Sequence, residues 1–153
     1  MRIALCLSGM PRCYDKAYDY VSKHLLNQFE HDNVDVFFHT WREVGDHVVS
    51  RISHLYMASC YSTSYQFPAN TLLKYKDHHP DWPAKNAYHM FYSLFKANEL
   101  RKEFELDNNI RYDVVIRSRF DFCLNRHLDF NSMEPGKVYV PNDYIKGHIK
   151  PNG

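Results

Sequence analysis

The chain has 153 residues, enough for one domain with a sizeable core and too few for two. Its 19 Lys and Arg nearly balance 18 Asp and Glu, for a formal net charge of +1, so no overall field draws it to nucleic acid or an anionic membrane. No apolar run approaches the roughly 20 residues a spanning helix needs, and the N-terminal run stops at Ser8-Gly9, too short for a secretory signal.

In chain order, Ile3-Ala4-Leu5-Cys6-Leu7 is a short apolar run closed by Ser8-Gly9, and Pro11 stands where a helix would begin. This predicts a strand, a tight turn and a helix start. A helix is predicted over 13–29, with Tyr14, Ala17, Tyr18, Val21, Leu25 and Phe29 at helical spacing. Residues 34–41 read as a second strand that turns polar at its carboxyl end. Two strands with a helix between them predict a parallel βαβ unit. The signal weakens from 42 to 83, with a helix expected near 46–57, a strand near 59–67 and a polar loop through 77–83. Residues 84–106 give the clearest helix, with Ala87, Met90, Phe91, Leu94, Ala97 and Phe104 on the expected core stripe and Lys85, His89, Lys96, Glu99 and Glu103 away from it. Asn98 and Arg101 fall inside that stripe and need partners there, either a buried backbone group or a ligand reaching over the sheet. A strand over 112–122, a polar link and a short strand over 137–141 complete the pattern. The fold class is α/β, a mainly parallel Rossmann-like sheet flanked by helices, in a single domain over 1–153.

The strand over 112–122 carries the most chemistry. Val114-Val115-Ile116 reads as a strand covered on both faces, and it runs straight into Arg117, Arg119 and Asp121, which alternation places on one face. Ligands of open α/β sheets collect outside the carboxyl ends of such strands. Two guanidinium forks suit a phosphate or carboxylate, and the adjacent carboxylate suits a hard divalent cation or a sugar hydroxyl. The same charges would also serve as a structural ion pair.

Cys6-Leu7-Ser8-Gly9-Met10-Pro11-Arg12 has the Cys-x5-Arg spacing of a tyrosine phosphatase loop. Such a loop aims nearly every backbone N–H at the phosphate, and Pro11 has none to give. Cys13 also stands where a hydroxyl residue would assist the thiolate. The segment reads more easily as a glycine turn that lets a nucleoside approach Ser8 and Gly9 while Arg12 faces a phosphate. Dinucleotide, P-loop and hydrolase-elbow signatures are missing from the sequence. Asp77, His78, His79 and Asp81 could bind a metal but fit a solvated loop better. His39, at the end of the second strand, is a site candidate or a histidine bonded within the fold. Cys6, Cys13, Cys60 and Cys123 lie far apart with no Cys-x-x-Cys pair, the usage of reduced thiols in a cytoplasmic protein.

Together, Leu7 to Arg12, Asp35-Val36-Phe37-Phe38-His39-Thr40-Trp41 and Tyr112 to Asp121 resemble glycosyltransferase-like proteins of viral and bacterial genomes in order and spacing, from Ile3 to about Pro141. The resemblance implies a GT-A-like fold that binds a nucleoside-diphosphate sugar at the strand ends and transfers the sugar to a glycan or other acceptor, in the host cytoplasm where the gene is viral. It implies roles in nucleotide-sugar binding for Ser8, Gly9, Arg12, His39, Arg117, Arg119 and Asp121. An Asp-x-Asp-type motif in such enzymes holds Mn²⁺ or Mg²⁺ on the diphosphate. Asp121 stands at its first place, and Cys123 occupies the second acidic place. Arg117 or Arg119 would then offset diphosphate charge without an ion. GT-A domains generally continue into acceptor-binding elements and a catalytic base, and the sequence marks neither. The expectation is the N-terminal, donor-binding part of a longer chain, with a noncatalytic nucleotide or glycan binding module as the alternative.

Overall fold

Every residue of strand β1 (Ile3–Ser8) is buried, because it lies inside a sheet with helices on both faces. The computed structural model describes residues 1–29, 33–66 and 84–139. After β1 come α1 (Tyr14–His24), β2 (Val34–Trp41), α2 (Asp46–Leu55), β3 (Cys60–Ser64), α3 (Ala84–Asp107) and β4 (Val114–Arg119). The four strands are all parallel in the order β3-β2-β1-β4, a Rossmann-like α/β arrangement.

Register assigns each face its residues. Ala4, Cys6 and Ser8 of β1 lie level with Asp35, Phe37 and His39 of β2 and with Val115, Arg117 and Arg119 of β4. Partners in register point to the same face, and α3 packs on this one, through Ala97, Leu100 and Phe104 against Ala4, Cys6 and Phe37. The opposite face presents Leu5, Leu7, Val36 and Phe38 to Val21 and Leu25 from the α1 side and to Val49 and Ile52 of α2. Truncating one of these buried aliphatic side chains to alanine costs about 2–5 kcal/mol.

Chain path then fixes one special position. From β1 through β2 to β3 the sheet grows in one direction, with α1 and α2 on one face. From β3 the chain crosses by α3 on the other face to place β4 beside β1. The strand order reverses between β1 and β4, and a crevice opens at such a switch point because the flanking connections leave on opposite faces.

Several expectations need correction. The helix expected over 13–29 ends at His24 and gives way to a 3₁₀ turn over Leu26–Gln28. Pro11 precedes that helix by a full turn instead of opening it, and Cys13 sits at its N-cap with φ 51°. The strand expected over 112–122 stops at Arg119, followed by a turn. It is an edge strand covered on one face only, because α3 lies over β1, β2 and β3 and leaves Val115 38% exposed. Residues 137–139 form no strand. The rest of that expected strand, Phe67, and the loop with Asp77, His78, His79 and Asp81 lie outside the described residues. Helix α3 exists as expected, but its buried phase runs through His89, Ser93, Ala97 and Phe104, and Met90 and Phe91 are exposed. Hydrogen bonding at the strand ends set this phase, as the site shows. Asn98 and Arg101 found side-chain partners. Asn98 Oδ1 accepts from Arg101 and Arg117, and Arg101 pairs with Glu105. Among the described residues no helix is long and apolar enough to cross a membrane.

Candidate functional site

Parallel register aligns the carboxyl ends of three strands. Ser8 lies level with His39 on one side and with Arg119 on the other. Neighbouring strands are about 4.8 Å apart, so the three backbones stand side by side at the rim, with Gly9 and Arg12 just beyond β1 and Asp121 just beyond β4. Ser8, Gly9, Arg12, Arg119 and Asp121 therefore flank the switch point.

On the β2 side the polar groups are sealed. His39 is fully buried, with Nδ1 2.8 Å from Ser93 Oγ and Nε2 3.1 Å from Ser64 Oγ. The Ser93 hydroxyl donates to the His39 carbonyl at 3.1 Å and accepts from the Gly9 N–H at 2.8 Å. A hydroxyl has one proton, so with that proton on the His39 carbonyl, a neutral ring would carry its own proton on Nδ1 toward Ser93 and accept from Ser64 at Nε2. Burial favours that neutral state of the ring. Burial, with help from the charge of Lys96, lowers its pKa to about 4. The Gly9 N–H also points at the His39 carbonyl at 3.3 Å, and the Gly9 carbonyl accepts from Thr40 Oγ1 at 2.9 Å. Both backbone groups of Gly9 thus hold the turn to β2. Its φ of 100° requires glycine, and a Cβ there would meet nothing within 4 Å, so the turn presents an open surface.

On the β4 side the groups face out. Arg119 donates from Nε to Asp121 Oδ1 at 2.8 Å and from Nη2 to Oδ2 at 2.7 Å, a two-bond fork. The Arg119 side chain is 63% exposed and that of Asp121 24%. The hydrogen bonds from Arg119 hold the Asp121 carboxyl below its usual range, and the nearby charge of Arg12 lowers it further. Asp121 reaches this position from the turn after β4 and not by strand alternation. Arg117 lies one row lower, level with Cys6, where Nη2 donates to Asn98 Oδ1 of α3 at 3.3 Å.

The fit of a divalent cation can be judged from these donors. Both Asp121 oxygens accept from one guanidinium, with Arg12 close by, and a cation placed there would be repelled by both arginines. Among the described residues no three His, Cys, Asp or Glu side chains gather to hold a metal, and Cys123 is an exposed free thiol. As arranged, these residues fit an anion and do not fit Mn²⁺ or Mg²⁺.

Cys6 lies within β1, fully buried, with its thiol pushed up to about 11 by burial. A thiolate nucleophile needs exposure and a lowered pKa, and the loop after it has spent the Gly9 N–H on β2. The phosphatase reading has no support in this geometry.

Two shallow hollows lie toward the β3 edge, away from Arg119. One, of about 480 Å³, is lined by Arg42, Glu43, Gly45, Asp46, Thr63 and Tyr65, with the Arg42 guanidinium 5.1 Å from the Tyr65 ring centre. The other, of about 370 Å³, lies between β3 and α3 beside Tyr92, Lys96 and Glu99. Arg12, Arg119 and Asp121 line neither, so the charges at the switch point lie apart from these two hollows.

Sequence reasoning missed Ser93 and Thr40, which hold the Gly9 turn. The available signal for Ser93 was its spacing of four from both His89 and Ala97, one small or polar line along α3. Compared with models of known protein families, with curated proteins and with solved structures, the chain matches none.

Proposed function

We propose that the chain binds a nucleoside-diphosphate sugar at the rim between β1 and β4, as the donor site of a glycosyltransferase-like protein acting in the cytoplasm. One observation carries this reading: the turn of Ser8, Gly9 and Arg12 and the Arg119–Asp121 fork flank the switch point of a parallel sheet, where such folds take nucleotides. Arg119 and Arg12 would face the diphosphate, and the open surface at Gly9 would admit the nucleoside. Charge grows on the departing diphosphate as the sugar leaves, so fixed guanidinium groups there would lower the barrier. Arg117 would contribute from one row below through its field.

A second reading is a noncatalytic nucleotide or glycan binding module. It is favoured by the state of the two titratable groups at the rim: His39 is sealed with both ring nitrogens bonded, and Asp121 is held by Arg119. Neither is poised to take a proton from an acceptor. Calorimetric titration with UDP, GDP and their sugar conjugates tests binding, and release of free sugar or transfer to an added glycan tests chemistry. Binding without turnover selects the module. A folded protein that binds neither nucleotide nor glycan at millimolar concentration removes both readings.

A further inference from the structure

We propose that the strand-end site takes its diphosphate without a divalent cation, with Arg119 and Arg12 as the positive charge and Asp121 as a positioning residue that aims the Arg119 fork. The inference rests on the nucleotide-sugar reading above and deepens it. Three observations carry it.

The first is the two-bond geometry between Arg119 and Asp121. At 2.8 and 2.7 Å both carboxylate oxygens are engaged along the edge that a bidentate metal would use. A guanidinium has five N–H donors, and this fork spends Nε–H and one Nη2–H on Asp121. The Arg119 side chain is 63% exposed, so its charge is presented at the surface of the rim. An anchored guanidinium loses less freedom on meeting a phosphate than a wandering one, which is the advantage a positioning carboxylate gives.

The second is composition at the turn. The second place of the acidic pattern is Cys123, and no described cluster of three His, Cys, Asp or Glu replaces it. A lone carboxylate already neutralised by arginine is a weak cation site, because hard divalent ions want several oxygen ligands.

The third is the sign of the local charge. Arg12 and Arg119 bring two positive charges to the one carboxylate of Asp121, and both lower its pKa. Among the described residues the excess at this carboxylate is positive, as an anion requires and a cation does not.

The test is calorimetric titration of UDP and GDP into the chain in EDTA, in Mg²⁺ and in Mn²⁺. The expected result is a dissociation constant that agrees within about threefold across the three buffers, with Arg119→Ala weakening it by about tenfold or more in each, the worth of a charge-assisted hydrogen bond. Arg12→Gln should weaken it in the same way, and circular dichroism checks that both variants stay folded. Asp121→Asn leaves one acceptor in place of two and so breaks the fork that aims Arg119, and it should weaken binding by the same factor in EDTA, Mg²⁺ and Mn²⁺. Binding that appears only with Mn²⁺ or Mg²⁺ and vanishes in Asp121→Asn overturns the inference while leaving the nucleotide reading intact. No binding in any buffer overturns both.

Discussion

Two polar clusters share one row of the sheet and have opposite fates. Around His39, hydroxyls from α3 and β3 and the backbone of Gly9 close every bond inside the protein. Around Arg119, the charges stay at an edge strand, half in solvent. Position in the sheet explains the difference. β2 lies beneath α3, whereas β4 extends past its cover. A ligand can therefore be met on the β4 side, with the β2 side serving as the frame that fixes Gly9. The comparison predicts that damage to the first cluster appears as lost stability, and damage to the second as lost binding.

The largest effect is expected from His39→Ala. It leaves a cavity under α3 and takes partners from Ser93 and Ser64, so unfolding in urea should show a loss of about 3–4 kcal/mol. A loss below about 1 kcal/mol would mean that the network is not what holds α3 on the strand ends.

Acid should reproduce much of that loss. The folded His39 pKa, about 4, lies below the ordinary 6.5. Above pH 6.5 the ring is neutral in both states and its contribution is complete. Between 6.5 and 4 the unfolded chain binds a proton that the folded one refuses, so stability falls with pH, by about 3 kcal/mol at the lower end. Other histidines titrate in this window too, so the measurement is the difference between the parent and His39→Asn from pH 7 to 4.5. Curves that run parallel would place the ring in water.

Gly9→Ala sharpens the frame half of the comparison. A side chain there meets open space, so its cost comes only from a backbone held at φ 100°. Strain of this kind is worth about 1–3 kcal/mol, to be read from the shift in the urea midpoint. No shift would show that the turn relaxes to another conformation.

Much of this frame was readable from residue order. The apolar runs at 3–7 and 34–41, joined by a helical pattern, gave a parallel pair because a short crossover allows little else. Parallel strands put their carboxyl ends on one side, so the polar ends of the three predicted strands bring Gly9, His39 and Asp121 to one rim. Two things were not readable. Hydrophobic spacing put Met90 and Phe91 inward on α3, but the helix turned His89 and Ser93 in, because Ser93 satisfies the Gly9 N–H at the strand end. That bond links positions 84 residues apart, beyond any local pattern. The cover on β4 was also misread, since Val114-Val115-Ile116 looks the same in a central strand and in an edge strand whose outer face α3 leaves bare.

The smallest effect on stability is expected where the effect on binding should be largest. Arg119 and Asp121 are joined by good geometry, yet the arginine is mostly exposed, and solvent and salt screen such pairs to about 0–1 kcal/mol. Arg119→Ala should therefore leave the urea midpoint almost unchanged while it weakens nucleotide binding. A double-mutant cycle with Asp121→Ala gives the coupling directly, and it should be under about 1 kcal/mol and shrink as salt is raised. A coupling of several kcal/mol that ignores salt would move this pair into the same class as the His39 network. Its conserving bond would then be structural, and the case for a ligand at the rim would rest on Arg12 and the open turn at Gly9 alone.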